Sequence, residues 1–334
     1  MTKMAPVRKH DGQPGSRETV LVADIGGTNA RFALAGSGGH VLSQSMSLPA
    51  AEYPGIIQAV SAYLDQIVGD RPTRACIAVA CPVWGDAVCL TNNHWSFSVE
   101  DVRQTLALEH LLVVNDFRVL AAGVPLLAEG ERIQIGHGHP VSNRPISVIG
   151  PGTGLGVATI ILHDGANVVI DGEGGHVGFA PGNEREIEIL RVLSRQYGRV
   201  STERILSGDG LMALHKALGE IDGADTNPDL LAADIVERAK SGSCAQSLES
   251  INIFCGILGS FAGDTALTMS SQGGVYIGGG IVPRMCDLLE RSPFRERFEA
   301  KGRISSFIKN VPTYLITADH VALAGAASLM QDDS

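Results

Sequence analysis

Two stretches of this chain repeat one local design, and that repeat limits what it can fold into. L-V-A-D-I-G-G-T-N-A-R-F-A-L-A-G (21–36) and V-I-G-P-G-T-G-L-G-V-A-T-I-I-L (148–162) each run an apolar strand into a Gly-rich turn carrying a Thr, and a second strand leaves the turn at once. Thr28 and Thr153 lie 125 residues apart, far too distant for a short-period solenoid. The spacing predicts two related halves, each built around its own sheet. The opening stretch holds neither G-x-x-x-x-G-K-[ST] nor G-x-G-x-x-G. Its glycines therefore read as a hairpin turn between strands, not as a phosphate loop that opens a helix.

A tight Gly turn between antiparallel strands aims successive backbone N–H groups into one concavity, which binds anions. Two such turns facing each other across a cleft would grip a polyphosphate from both sides, with Thr28 and Thr153 adding hydroxyls. Asp24 ends the first strand beside its turn and suits a Mg2+ held through water, because Mg2+ keeps its waters and uses few carboxylates. Two plain hairpins with a capping Asp would give the same pattern, so the turns alone leave both readings open.

Strand-like runs at 19–25, 29–35, 40–48, 74–80 and 111–115 alternate with helical patterns at 53–68 and 98–108, where Ser98 and Asp101 mark a helix start. Helical patterns follow at 184–197, 202–218, 229–240 and 245–270, then a strand into three glycines (273–283), a strand at 313–317 and an Ala-rich helix at 320–330. This alternation is α/β. No Pro/Ser-rich linker separates the halves, so the chain crosses between them more than once.

Composition narrows the partners. With 334 residues, 44% of them hydrophobic, and a net charge of -10, the chain has ample core and a surface that repels nucleic acid and anionic membranes. No stretch approaches the roughly 18–20 apolar residues of a membrane span. The six cysteines form no C-x-x-C pair and read as reduced core thiols of a cytoplasmic protein. Residues 1–18 lack the apolar centre of a signal peptide and are expected to be a disordered extension, like the D-D-S tail.

Three further stretches carry candidate chemistry. In L-L-V-V-N-D-F (111–117), a buried-strand run ends on Asn115-Asp116 where a helix begins. A carboxylate there is either a helix cap or the base that takes a proton from an attacking hydroxyl. D-G-E-G-G-H-V (171–177) sets Glu173 and His176 in a Gly-rich loop, able to converge on the hydroxyls of a polyol. Zinc needs three or four ligands, and no Cys lies between Cys89 and Cys244 to help His176 supply them. S-T-E-R-I-L-S-G (201–208) places Glu203 in the expected first turn of a helix, where its charge suits the dipole.

In this order and spacing, D-I-G-G-T-N-A-R (24–31), T-N-N-H-W-S-F (91–97), N-D-F (115–117), G-P-G-T-G-L-G-V (150–157), G-E-G-G-H-V (172–177), E-R-I-L-S-G (203–208) and G-G-V-Y-I-G-G-G-I-V-P-R (273–284) resemble the bacterial glucokinase family of the hexokinase/actin-like ATPase superfamily. The zinc-binding cysteine cluster of the related ROK family is missing after His176. The resemblance implies two actin-like (ribonuclease H-like) α/β domains, each with a mixed sheet, and a cleft between them. A small domain would span 19–120, joined by the helix near 320–330, and a large one 121–330. It implies transfer of the ATP γ-phosphoryl to D-glucose with Mg2+, with Asp116 as base and Asn115 beside it. Glu173, His176 and Glu203 would hold the O1 to O3 edge of the sugar. Ala23, Asp24, Ile25, Gly26, Gly27 and Thr28 would form the first phosphate site and Gly152, Thr153 and Gly154 the second, with Gly278, Gly279 and Gly280 against adenosine. A homodimer is expected. A kinase of mannose, fructose or an N-acetylhexosamine, or a non-catalytic sugar sensor, are the other readings. Asn93-His94 stands where His-Thr is commoner beside Trp95, a departure at a sugar-adjacent loop.

Overall fold

The computed structural model describes residues 19–36, 41–163, 166–224, 227 and 229–332; the expected extension 1–18 and the last residues of the tail lie outside them. The first half runs β1 (Val20–Ile25), β2 (Asn29–Ala35), β3 (Leu42–Pro49), α1 (Ile56–Leu64), β4 (Arg74–Val79), β5 (Ala87–Cys89), β6 (Ser96–Ser98), α2 (Val99–Thr105), β7 (His110–Asn115) and α3 (Asp116–Gly123). Ser98 caps α2 by accepting the Asp101 N–H, as the sequence predicts.

The second half supplies β8 (Arg132–Gln134), β9 (Ile146–Pro151), β10 (Leu155–His163), β11 (Ala166–Gly172), α4 (Glu184–Tyr197), α5 (Gly208–Asp222), α6 (Ala232–Lys240), α7 (Ala245–Met269), β12 (Gly274–Ile277), α8 (Cys286–Arg291), α9 (Phe294–Glu299), α10 (Ser305–Ile308), β13 (Thr313–Ile316) and α11 (Val321–Asp332).

The repeat seen in the sequence is a repeat of topology. One sheet has the order β3-β2-β1-β4-β7 and the other β11-β10-β9-β12-β13, extended at its edge by β8. In each, the Gly hairpin supplies the two antiparallel strands (β1 with β2, β9 with β10), and parallel strands follow on the other side.

Strand parity sorts the side chains into layers. Leu21, Ala23 and Ile25 of β1 join α1 and α2 in an outer core. Val20 and Val22, of opposite parity, face a middle core made by α3, α11 and the inner face of the second sheet, including Val148, Ile160 and Tyr276. The remaining helices cover the far face of the second sheet. Asp24 shares the parity of Val20 and Val22, so the alternation turns it toward the start of α3.

Two sequence expectations change. The helix read over 202–218 is a short 3-10 turn, Thr202–Arg204, followed by α5, because Ser207 caps α5 by accepting the Gly210 N–H. The statement that no stretch approaches membrane length fails for α7, which is long and apolar enough by length and composition. Its Ile251, Phe254, Cys255, Ile257 and Leu258 are instead buried in the core of the second sheet.

Helices α3 and α11 approach each other through small residues. A Cβ on Gly325 would run into the Val119 carbonyl oxygen and come within 2.6 Å of the Gly123 nitrogen. Gly325→Ala is therefore expected to overpack this contact and destabilise the fold by about 1–3 kcal/mol, read as a lower midpoint in thermal and urea denaturation.

Candidate active site

The strand ends of the first sheet bring two carboxylates together. Asp24 and Asp116 line one cavity of about 400 Å³, with Arg31, Phe117, Gly278, Gly279, Gly280 and Arg284 among its other walls. Asn115 caps α3, its Oδ1 accepting the Phe117 N–H at 2.9 Å, while its Nδ2 donates to the Cys81 carbonyl at 3.3 Å. Asp116 Oδ1 also accepts from Phe117 N, at 3.0 Å. The helix start is thus held by Asn115, which leaves Asp116 with lone pairs directed elsewhere. Of the two readings of this acid, the cap falls mainly to its neighbour: Asp116 sits at a helix start, yet Asn115 is the N-cap.

Burial pushes the Asp116 carboxyl up to about 7, and the negative charge of Asp24 adds to the rise. Asp116 as a residue is half-buried. Asp24 is raised too, by burial, against the pull of the Arg31 guanidinium. Arg31 stands directly across from Asp24 in the β1–β2 register. Arg31 was not among the expected site residues, although it closes the D-I-G-G-T-N-A-R motif and strand parity alone puts it on the face of Asp24.

The Gly turns commit their first amide and leave the next two. Gly26 N–H bonds Asn29 O at 2.9 Å, and Gly152 N–H bonds Gly154 O at 2.8 Å. Among the described residues, the amides of Gly27, Thr28, Thr153 and Gly154 have no backbone acceptor, so two successive N–H groups remain for an anion in each turn. The Gly152 amide is taken by the Gly154 carbonyl, so the open amides of the second turn are those of Thr153 and Gly154. The glycine run 278–280 reaches the second hairpin: a Cβ on Gly150 would lie 2.9 Å from Gly279 N, and one on Gly152 3.8 Å from Gly280 N.

A second polar cluster forms on the other sheet. His176 lies between two carboxylates, with Nε2 3.7 Å from Glu173 Oε2 and Nδ1 3.8 Å from Glu203 Oε1. These separations exceed a hydrogen bond and leave the polar atoms of all three side chains available to a hydroxyl or water beside them. Glu203 does not serve a helix dipole, as the sequence suggested. Its Oε2 accepts the Leu155 N–H at 2.8 Å. The loop is stitched from behind: Arg199 donates to the His176 carbonyl at 2.7 Å, Thr202 N to Val177 O at 2.9 Å and Phe179 N to Val200 O at 3.1 Å. Arg199 was not foreseen either, since nothing in its sequence neighbourhood signals a bond 23 residues away. Among the described residues no hydrogen bond joins Asp116 to Glu173, His176 or Glu203.

Among the described residues no group of three or more His, Cys, Asp or Glu side chains could hold a metal by itself. Mg2+ makes no such demand, since one or two carboxylates and substrate phosphates complete its shell. Asp24, in the cavity it shares with Asp116, fits that donor set.

Two sheets of one strand order, each opening on a Gly-Thr hairpin, with an acid at the head of the helix between them, define an actin-like fold suited to phosphoryl chemistry. The glucokinase family model matches residues 21–333, and the chain belongs to the glucokinase family. A glucokinase from Chromobacterium violaceum is 48% identical over 93% of this chain and 89% of its own length. The bifunctional protein glk of Burkholderia thailandensis is 45% identical over 99% of this chain, which spans 50% of that protein. The crystal structure of a glucokinase from an Antarctic psychrotroph is similar at a TM-score of 0.86 and 38% identity, covering 95% of this chain and 100% of that one.

The electrostatics of the acid pair have a cost for the fold. A carboxyl raised from 3.8 to about 7 binds its proton more tightly in the folded chain than in the unfolded one. Its stability contribution is therefore full below about pH 4 and is lost as pH rises through about 7. Asp116→Asn keeps the bond to Phe117 and removes that loss, so at pH 8 the ligand-free variant should be roughly 1–3 kcal/mol more stable than the wild type. The gain should vanish by pH 4 in a urea-denaturation series. In Asp24→Asn, the Asp116 carboxyl should titrate below 7 when followed by carbon NMR.

Proposed function

We propose that this chain transfers the γ-phosphoryl group of ATP to the 6-hydroxyl of D-glucose, giving glucose 6-phosphate and ADP. Membership of the glucokinase family supports the reaction class. The observation that carries the mechanism is the Asp116 carboxyl, lifted to about 7 in a cavity shared with Asp24 and the glycine run 278–280. A base must be ionised at working pH yet still attract a proton, and a value near 7 meets both needs. Asp116 accepts the proton of the 6-hydroxyl as that oxygen bonds to the γ-phosphorus and the bond to ADP breaks.

Asn115 stands beside the base at O4, with one amide hydrogen free of the Cys81 carbonyl. Glu173, His176 and Glu203 read the O1 to O3 edge through polar atoms that lie 3.7–3.8 Å apart, too far to hydrogen-bond one another. The open amides of the turns 26–28 and 152–154 face the phosphates, and Gly278–Gly280 lie against adenosine. Asp24 would hold Mg2+ through water, and the ion would supply charge neutralisation at the transferring group. The small domain 19–120, joined by the helix near 320–330, and the large domain 121–330 close on the sugar and exclude water, which would otherwise compete as acceptor. The free thiols suit a reducing, cytoplasmic setting. A homodimer is consistent with the exposed Val168 and Ile170 of the edge strand β11. A sugar sensor would have no use for a carboxyl held near neutrality.

A coupled assay over several hexoses tests the assignment. Galactose, inverted at C4, leaves the Asn115–Asp116 pair short of a partner. An unsatisfied buried polar group costs about 1–3 kcal/mol, so galactose should lose roughly 10- to 100-fold in kcat/KM against glucose. Mannose and N-acetylglucosamine probe the C2 wall, and either one outperforming glucose would remove the glucose assignment. Asp116→Ala should lower kcat by about 10²–10⁴-fold while ATP binding, measured by calorimetry, stays nearly intact. For the wild type, kcat/KM should fall tenfold per pH unit below the Asp116 value of about 7.

A further inference from the structure

Glu203 has one carboxylate and two different neighbours. Oε1 faces His176 at 3.8 Å, on the edge assigned above to the sugar. Oε2 accepts the Leu155 N–H at 2.8 Å, on the strand that leaves the second Gly-Thr turn. The contact is close: a Cβ on Gly154 would lie 2.6 Å from Oε2. The same short segment grips the other side of that turn, where Gly208 N–H bonds the Gly152 carbonyl at 2.9 Å. Ser207 Oγ donates to the Glu203 carbonyl at 2.8 Å, tying the two grips together. Residues 203–208 therefore clasp the turn 152–155 on both strands, and one jaw of the clasp is a carboxylate that also looks onto the sugar edge.

We propose that Glu203 couples the two substrates: a sugar hydroxyl on Oε1 fixes the carboxylate plane, which holds Leu155 and so pre-orients the open amides of Thr153 and Gly154 for phosphate. The proposal rests on the function proposed above and goes beyond it, since it makes the sugar and the nucleotide raise each other's affinity through one side chain. The effect is reciprocal by thermodynamic necessity. Glu173 has no bond to the hairpin among the described residues, so it should bind sugar without coupling.

The test is calorimetry of the Mg2+ complex of the non-hydrolysable analogue AMP-PNP on the full chain, with and without saturating D-glucose. In the wild type, glucose should tighten AMP-PNP by at least about 5-fold, the lower end of usual coupling between sites. Glu203→Ala should bring that ratio to within about twofold of unity at glucose concentrations raised to saturation. Glu173→Gln should weaken glucose yet keep the wild-type ratio. Gly154→Ala, whose Cβ would push the Glu203 carboxylate off the Leu155 amide without removing it, should lose the ratio as Glu203→Ala does whatever it costs in the affinity of either ligand, and it decides the matter should Glu203→Ala fail to fold or to bind glucose. A wild-type ratio retained in Gly154→Ala, or lost equally in Glu173→Gln, overturns the coupling role. A wild type that binds both ligands without coupling overturns this inference alone; a wild type that does not bind glucose overturns the function and this inference with it.

Discussion

The insertion of α3 between the two sheets is the contact on which the rest of the arrangement depends. Phe117, the second residue of that helix, presses its ring on the second sheet at Gly150 and Gly156, where any side chain on either glycine would collide with it. These two glycines face each other across the β9–β10 register. One turn further along, Val119 and Gly123 meet α11 with no space to spare. A helix gripped on two sides has little freedom to slide or turn, and the acid at its head inherits that rigidity. Asp116 is thus placed by packing of its neighbours, and its own side chain is not used up in holding itself there.

That placement accounts for the electrostatics as well. Strand parity delivers Asp24 to the inner face and α3 delivers Asp116 to the same cavity, so two like charges meet where water is scarce. Neither would be tolerated for stability alone, because burial and like charge both disfavour the ionised forms. The proposed function gives that pairing its use, in a cation held beside Asp24 and a proton taken by Asp116. Arg31, facing Asp24 across the strands, offsets part of the repulsion.

Much of this was legible in the sequence, for reasons that can be located. The hairpins announced themselves because a Gly turn between β-branched runs is a local signal, and strand, turn and strand all fall within 16 residues of one another. Two copies then implied two sheets. The helix 202–218 was misread because Thr-Glu-Arg-Ile-Leu carries helical composition, while the true start is set by Ser207 and a helix rich in glycine at its opening. The bond from Glu203 to Leu155 spans 48 residues and the bond from Arg199 to His176 spans 23. No periodicity encodes contacts of that kind. The meeting of Asp24 with Asp116 could be guessed only from the resemblance, since it requires knowing which parallel strands lie side by side.

Helix α11 has a consequence for how the molecule is made. Its Leu323, Ala326, Ala327 and Met330 cover the inner face of the first sheet, against Val22, Cys76 and Ala78. Val321 lies 301 positions beyond Val20, so a ribosome working at 5–20 residues per second delivers the cover roughly 15–60 s after the strands it covers. Throughout that interval the strands of the first sheet lack the helix that covers their inner apolar face in the finished fold. The N-terminal half cannot be finished where it is begun, and its survival in the cell depends on what shields that face until the far end of the fold arrives.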